Sequence, residues 1–220
     1  MADKNLTEAL KASRLFSGVS KKGLAVLSEG AVYNRYRRGA VIFSEGEAGI
    51  SLHIISKGSV KIMKHTKEGR SKTLAILKER ESFGEMAILT KEARSATVEA
   101  LTAAETVSIA KEFFEEAIVK EPSISLQIIR TLSERLARAD RDIKNLALGG
   151  AKARVACVIM DFKEAMDSVK FTHQDIAELA GLTRETTTRT LKQLEEEKFI
   201  KFEGKKIKIP DEEKMKELCS

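Results

Sequence analysis

The spacing of apolar residues changes period along the chain, and each change marks a different kind of element. Between residues 33 and 109, apolar and polar residues alternate in short segments, for example at Val60 with Ile62 and at Leu74 with Ile76. Glycines stand between or beside these segments, at Gly39, Gly46, Gly49, Gly58 and Gly69. This pattern predicts a compact antiparallel β-roll or barrel.

A helical period replaces the alternation after the predicted strands. It begins at KEFFEEAIVK (111–120), breaks at Pro122 and resumes over residues 123–148. In the second helix, apolar residues recur alternately three and four positions apart, which is the repeat of a coiled-coil seam. The predicted seam residues are Ile129, Leu132, Leu136, Ala139, Ile143 and Leu146. Because charged residues occupy the opposite face, the pattern favours a two-chain seam; a helix packed on its own domain is the alternative.

Two adjacent glycines, Gly149 and Gly150, interrupt this helical pattern, because glycine holds a helical backbone poorly. We expect a hinge there, over residues 149–152. The next segment, KARVACVIMDFKEAM, predicts a helix with four inward-facing residues, which are Val155, Val158, Ile159 and Phe162. The chain therefore divides into a roll domain (1–122), a dimerisation helix (123–148), the hinge and a second domain (153–220).

The segment FTHQDIAELAGLTRETTTRTLKQLEEEKFI has the residue pattern of a helix-turn-helix. Thr172 can cap a first helix that carries the small residue Ala177. Gly181 follows four residues later, where a tight turn needs a left-handed residue, and Thr183 can cap a second helix. This order of residues predicts two helices joined by a short turn.

The second of these helices has one apolar face and one face suited to reading DNA. Its predicted inward residues are Thr187, Leu191 and Leu194, and its outward residues are Arg184, Glu185, Thr188 and Arg189. An arginine fork matches the O6/N7 edge of guanine, and a glutamate accepts from the amino group of cytosine. An exposed face of solvated ion pairs is the alternative. The full set of predicted DNA-binding residues is Thr172, Gln174, Thr183, Arg184, Glu185, Thr188, Arg189, Lys205 and Lys206.

The last part of the chain predicts a β-hairpin after the second helix. Ile200 with Phe202, and Ile207 with Ile209, alternate on either side of a turn that contains Gly204. Two lysines at its tip, Lys205 and Lys206, would lie against DNA phosphate and complete a winged helix-turn-helix. In the alternative interpretation, the two lysines only keep an edge strand soluble.

Composition and charge narrow the classes of function. The formal net charge of +6 suggests an anionic partner. Cys157 and Cys219 are the only cysteines, which predicts neither a disulfide framework nor a metal cluster and opposes an iron-sulfur sensor. The sequence has no apolar run of about 20 residues and no signal-peptide core, so we expect a cytoplasmic protein. It shows no recognisable pairing of nucleophile and base, so we expect no enzyme.

The stretch FGEMAILTKEARSATVEA (83–100) places a Gly-Glu pair ten residues ahead of an Arg-Ser-Ala triplet. Together with EGEAGISLHIISKGSVKI and the helix-turn-helix segment, it resembles the cyclic-AMP receptor protein (catabolite activator) superfamily of bacterial transcription regulators. The resemblance extends from about residue 14 to residue 210. It implies an α+β fold with an N-terminal jelly-roll-like antiparallel β-roll, a long dimerisation helix and a C-terminal winged helix-turn-helix.

The resemblance also implies a cyclic-nucleotide pocket in the roll, without a metal. Arg94, in a surface-accessible site, would bind the cyclic phosphate, and Glu85 would accept from the ribose 2′-hydroxyl. The expected set is Gly84, Glu85, Met86, Ala87, Arg94, Ser95, Ala96, Arg135, Ala139 and Asp140. In the structural alternative, Arg94 and Glu85 simply pair across a strand end. His53 and His65, the only histidines of the roll, are expected to pack in the core or to lie on the surface.

The sequence departs from the family pattern at several positions. Arg80 replaces a glycine that is usual four residues before Gly84. Ala139 and Asp140 stand where the family has a threonine and a serine that contact adenine, one from each subunit. An ionised Asp140 can only accept hydrogen bonds, which suits the 6-amino group of adenine and not the carbonyl of guanine. Cyclic AMP is therefore the expected ligand.

The resemblance implies a homodimeric, cyclic-nucleotide-responsive transcription regulator with RNA polymerase as a further partner. The expected target is palindromic double-stranded DNA with a TGTGA-like half-site, read by Arg184, Glu185 and Arg189. One alternative is a sibling regulator that senses another signal or needs no ligand. The other is a cyclic-nucleotide regulatory subunit of a partner enzyme.

Overall fold

A computed structural model describes residues 2–65, 71–168, 171–204 and 206–219. Three residues discussed above are not covered: Gly69 and Lys205 lie outside the described residues, as does the side chain of Leu146. Within the described part, none of the helices is long and apolar enough to cross a membrane.

The described residues form nine helices and ten strands. The helices are α1 (Ala2–Ala12), α2 (Lys21–Glu29), α3 (Glu85–Thr90), α4 (Lys111–Lys120), α5 (Pro122–Leu148), α6 (Ala151–Ser168), α7 (His173–Ala180), α8 (Arg184–Glu196) and α9 (Glu212–Glu217). The strands are β1 (Ala31–Tyr36), β2 (Val41–Phe43), β3 (Ser51–Lys57), β4 (Ser59–His65), β5 (Ser71–Lys78), β6 (Ser82–Phe83), β7 (Thr97–Ala100), β8 (Ala104–Ala110), β9 (Lys201–Glu203) and β10 (Lys206–Lys208).

The chain separates into two compact units. The first comprises Met1–Lys64 and Ala75–Arg135, and the second comprises His65–Leu74 and Leu136–Ser220. The first unit reaches residue 135, past the predicted limit of the roll domain at residue 122. The physical reason is that Ile124 and Ile128, on the first turns of α5, are buried in the core of the roll.

Eight of the strands form two four-stranded sheets, which confirms the predicted antiparallel roll. The strand orders are β1-β8-β3-β6 and β2-β7-β4-β5. One apolar core lies against the helices and includes the fully buried Leu10, Phe16 and Phe114. A second core includes Phe43 and Phe83, one from each sheet. The pairing of β3 with β6 sets His53 opposite Phe83, beside the start of α3.

Arg80 occupies an unusual backbone conformation in the turn before β6. Its φ angle is 72°, in the left-handed region that favours glycine. The turn is held by backbone hydrogen bonds, since Arg80 N–H donates to Ile55 O (2.8 Å) and Arg14 N–H donates to Arg80 O (3.1 Å). The position expected to carry glycine in relatives therefore keeps a glycine-like conformation here, although the residue is arginine.

The long helix α5 leaves an apolar stripe exposed. Leu136 is 63% exposed, and Ile129 and Ile143 are also more than half exposed. Leu132 is partly buried against the roll core, and Ala139 is exposed. The first turns of the helix therefore pack on their own domain, while most of the predicted seam stays accessible in the single chain.

The second unit contains the predicted helix-turn-helix. Residues Val155, Val158, Ile159 and Phe162 of α6 are buried, as predicted. Thr172 caps α7 with a capping box to Asp175, and Gly181 ends α7 with φ 62°. Thr183 then caps α8 by accepting from Thr186 N–H. Strands β9 and β10 pair around Gly204, which has φ 63°, and form the predicted hairpin.

Candidate functional sites

A small cavity in the first unit collects most of the residues predicted to hold a cyclic nucleotide. Its volume is about 70 Å³, and its lining comes from both sheets and from α5. The lining residues are Phe43, Ile62, Phe83, Gly84, Glu85, Met86, Ala87, Arg94, Ser95, Ala96, Val98 and Arg135. Eight of the ten predicted residues are among them. The other two, Ala139 and Asp140, are exposed on α5 within the second unit.

The segment from Gly84 to Ala96, here called the cassette, requires glycine at its start for two reasons. Gly84 has φ 87°, and a methyl group there would lie 2.6 Å from Arg94 Nη1 and 3.1 Å from Ser51 O. Gly49 has a similar role, since a methyl group there would lie 2.3 Å from the Cβ atom of Ala87. The small residues of the motif therefore allow α3 and Arg94 to pack closely against the neighbouring loop and strand.

Arg94 lies deep in the wall of the cavity and is only 4% exposed. Its Nη1 donates to Gly84 O (2.8 Å), and its Nη2 donates to Ser51 O (2.7 Å). The guanidinium also lies over the ring of Phe43, 4.1 Å from the centroid. Burial lowers the pKa of Arg94, and the charges of Glu47 and Glu85 act in the opposite direction. The expected surface-accessible arginine is therefore a largely buried one.

Glu85 is the second charged group of the cavity and is almost fully buried. Its Oε1 accepts from Arg135 Nη1 in an ion pair, and Arg135 Nη2 donates to Ser82 O (2.6 Å). The direct pairing of Glu85 with Arg94, considered above as a structural alternative, is not what holds either side chain. Arg135 instead connects the cassette to α5.

Two polar atoms of this site are buried without a hydrogen-bond partner among the described residues, namely Glu85 Oε2 and Arg94 Nε. Such atoms typically cost about 1–3 kcal/mol each when they remain unpaired. One is an acceptor and the other a donor. The site is therefore able to accept a hydroxyl hydrogen and to donate to an anionic oxygen.

Sequence reasoning missed the apolar wall of the cavity. Phe43, Ile62, Phe83 and Val98 line it, yet none of them was predicted to belong to the binding site. They belong to four short strands, so only the alternation of apolar residues within each strand hinted at inward positions. Their meeting depends on the strand pairing, which the sequence pattern did not specify.

The predicted DNA-reading face of α8 is exposed. Its outer residues are Arg184, Glu185, Thr188 and Arg189, and its inner residues Thr187, Leu191 and Leu194 are buried. In the described part of the chain, neither Arg184 nor Arg189 forms an ion pair, so both guanidinium groups are available. Thr188 Oγ1 donates to Arg184 O (2.9 Å) and lies 2.9 Å from His173 Nδ1, a neighbour that sequence reasoning missed.

The remaining predicted DNA contacts have local structural roles of their own. Thr172 and Thr183 are helix caps, and Gln174 Nε2 donates to Glu178 Oε1 (3.1 Å). Lys206 is exposed at the start of β10. Thr172, Gln174 and Thr183 belong to the helix-turn-helix that contains α8, and Lys206 belongs to the hairpin that follows it.

Comparisons with known proteins match both units. Residues 33–121 match the family model of the cyclic nucleotide-binding domain, and residues 153–218 match that of the Crp-like helix-turn-helix domain. A CRP-like cAMP-activated global transcriptional regulator of Mycobacterium tuberculosis is 29% identical over 219 residues, covering 96% of this chain and 98% of the relative.

Two solved structures are also similar to this chain. The catabolite activator protein of Thermus thermophilus is 26% identical, with a TM-score of 0.55 over 94% of this chain and 98% of its own. The c-di-GMP responsive global regulator CLP of Xanthomonas campestris is 21% identical, with a TM-score of 0.74 over 86% of this chain and 99% of its own. The latter likeness concerns the fold alone.

Proposed function

Because the chain belongs to the superfamily of transcription regulators that join a cyclic nucleotide-binding domain to a Crp-like helix-turn-helix domain, we propose that it is a homodimeric, cAMP-responsive regulator. As a protein that acts on chromosomal DNA, it would work in the cytoplasm. The proposal of a cyclic-nucleotide ligand rests on two buried atoms without a hydrogen-bond partner in residues that line one cavity, Glu85 Oε2 and Arg94 Nε.

A cyclic nucleotide supplies what these two atoms lack. Its ribose 2′-hydroxyl can donate to Glu85, and its cyclic phosphate can accept from Arg94. The cavity of about 70 Å³ is far below the roughly 300–1,000 Å³ of whole-ligand pockets, so the proposed ligand would be only partly enclosed, with its phosphate and ribose toward Arg94 and Glu85. The base would lie outside the cavity, where a contact with Ala139 and Asp140 is our proposal for base selection.

The proposed response passes through Arg135. This residue pairs with Glu85 and belongs to α5, the helix that carries the proposed dimer seam. A ribose hydroxyl bound to Glu85 Oε2 would fix the carboxylate whose Oε1 pairs with Arg135, and would thereby favour one arrangement of the helix over another. Ligand binding would thus shift the population of dimers competent for DNA.

The proposed target is a palindrome with a TGTGA-like half-site. Two copies of α8 on a dyad would enter successive major grooves, about 34 Å apart, with Arg184, Glu185 and Arg189 toward the bases. Lys205 and Lys206, which follow Gly204 in the sequence, would lie near phosphate. RNA polymerase is the further partner that the family membership suggests.

A second candidate ligand follows from the comparisons. A regulator that responds to c-di-GMP shares this fold, so the fold accommodates control by a different nucleotide. The corresponding alternative is a sibling regulator with another ligand or with none. The regulatory subunit of an enzyme is disfavoured, because the chain carries a Crp-like helix-turn-helix domain.

Calorimetric titration of the full chain with cAMP, cGMP and cyclic di-GMP tests this proposal. We expect cAMP to bind most tightly, and Asp140→Ala to reduce the preference for cAMP over cGMP. Glu134→Ala is the matched control, since Glu134 is an exposed carboxylate on α5 outside the cavity lining. If none of the three ligands binds at millimolar concentration while operator DNA binds tightly, the protein is a ligand-independent regulator.

A further inference from the structure

A chain of hydrogen bonds runs from Arg94 into the interior of the roll. Arg94 Nη2 lies 3.3 Å from Ser51 Oγ, in addition to its bond with Ser51 O. Ser51 Oγ lies 3.1 Å from His53 Nε2, and His53 Nδ1 lies 3.4 Å from Thr106 Oγ1. Ser51 and His53 are two positions apart on β3, so both side chains point to the same face of the sheet.

The guanidinium fixes the direction of the first of these hydrogen bonds. Arginine can only donate, so Ser51 Oγ accepts from Arg94 and is left with its own hydrogen to donate. In the tautomer with the ring hydrogen on Nδ1, His53 Nε2 accepts that hydrogen and Nδ1 donates to Thr106 Oγ1. This arrangement requires a neutral imidazole, because a protonated ring has no lone pair on Nε2 with which to accept from Ser51.

Packing against aromatic rings fixes the position of the His53 imidazole. His53 is 6% exposed and stacks on Phe83, with ring centroids 5.0 Å apart and planes 11° apart. Phe43 packs against both rings and also lies beneath the guanidinium of Arg94. Burial, together with the charge of Arg94, lowers the pKa of His53 to about 4, so the ring is neutral at physiological pH.

We propose that His53 is a positioning residue for the phosphate-binding guanidinium of Arg94, acting through the hydroxyl of Ser51. His53 touches no ligand in this arrangement. It fixes the Ser51 hydroxyl so that Arg94 keeps its buried orientation with Nε left for the cyclic phosphate. The role in ligand binding rests on the proposed function, whereas the orientation of Arg94 is a property of the protein without ligand.

The decisive variant is His53→Phe, which keeps a stacked aromatic ring and removes the acceptor. We expect a roughly fivefold to tenfold loss of cAMP affinity by calorimetry, the size of one lost hydrogen bond. Ser51→Ala should give a loss of similar size, and the double variant should show no further loss, because both changes break the same chain. His53→Gln, whose amide oxygen can accept from Ser51, should retain more affinity than His53→Phe.

Two further measurements separate positioning from general damage to the fold. His65→Phe is the matched control, because His65 is exposed at the end of β4 and should leave affinity unchanged. In the ligand-free protein, the ¹⁵N–¹H signal of Arg94 Nε should shift in His53→Phe and in Ser51→Ala, and should stay in place in His65→Phe. Chemical denaturation reports the stability of each variant independently.

The outcomes distinguish this inference from the proposed function. If the unmodified protein binds no cyclic nucleotide, the proposed function fails, and the Arg94 Nε signal alone decides the role of His53. If that signal is unchanged in folded His53→Phe, the inference is wrong. Losses of affinity that add in the double variant would also overturn it, since they would show that His53 and Ser51 act separately.

Discussion

At the scale of single residues, Arg94 serves the fold as well as the proposed ligand. Its guanidinium satisfies two backbone carbonyls, Gly84 O and Ser51 O, and stacks on Phe43. Arg94→Leu should abolish cyclic-nucleotide binding. It should also lower the free energy of unfolding by about 1–3 kcal/mol, because the buried carbonyls lose their donor.

Chemical denaturation and calorimetry of the same preparation measure both effects of Arg94→Leu. Arg37→Leu is the control, since Arg37 is an exposed arginine of the same unit. A variant that loses nucleotide binding with its stability unchanged would mean that the carbonyls find other donors.

His53 should make the stability of the protein depend on pH. Its pKa is about 4 in the folded protein and near 6.5 when unfolded, so between these values the unfolded state binds more protons. Stability should therefore fall as the pH is lowered from 6.5 to 4, by about 3 kcal/mol at about 1.36 kcal/mol per pKa unit. Above pH 6.5 the ring is neutral in both states and contributes no pH dependence.

The pH contribution of His53 is isolated by comparing the unmodified protein with His53→Phe. The difference in unfolding free energy between them should move in favour of the variant as the pH falls from 6.5 to 4. Parallel profiles for the two proteins would show that His53 is protonated as easily in the folded state as in the unfolded state.

At the scale of elements, α8 carries a specific prediction about DNA reading. Arg184→Ala or Arg189→Ala should each cost about 1–3 kcal/mol of binding free energy on the cognate site and relax the preference at one base pair. Fluorescence anisotropy with a TGTGA-like site and its single-base variants measures both. Lys192→Ala is the control, because Lys192 is exposed further along α8. Its Nζ lies 3.8 Å from Glu196 Oε1.

The pattern of losses identifies the kind of contact. Equal weakening on every DNA sequence would make the substituted arginine a phosphate contact. Unchanged binding would remove that arginine from the interface.

At the scale of the whole molecule, the exposed stripe on α5 predicts a dimer. Ile129, Leu136 and Ile143 are each more than half exposed, and they follow a seam repeat. Leu136→Glu should shift the protein toward the monomer, because the dimer would bury an unpaired carboxylate. Light scattering over a range of concentrations gives the mass, and Arg130→Glu, a charge reversal on the opposite face of α5, is the control.

A monomeric mass for the unmodified protein would refute the seam. It would remove the basis for a palindromic operator as well, since two copies of α8 are needed to read two half-sites.

Elements whose signals are local were predicted correctly from the residue pattern alone. The helix-turn-helix could be predicted without a structure, because its signals involve residues only a few positions apart. These signals are the caps at Thr172 and Thr183 and the left-handed turn at Gly181. The alternation of the strands and the three-four repeat of α5 were likewise visible, because each is a period of one element. Glu85 and Arg94 lie in one short segment of the chain. Their motif could therefore be recognised in the sequence by its resemblance to that of a known family.

The contacts around that motif, by contrast, depend on how distant segments pack together. Ser51 is 43 positions from Arg94, and Arg135 is 50 positions from Glu85, so their meeting depends on strand register and on the docking of α5. The burial of Arg94 and the neutral state of His53 follow from the packing of the strands around them. No local pattern encodes these contacts, because desolvation and hydrogen bonding between distant segments exist only once the sheets have paired and excluded water.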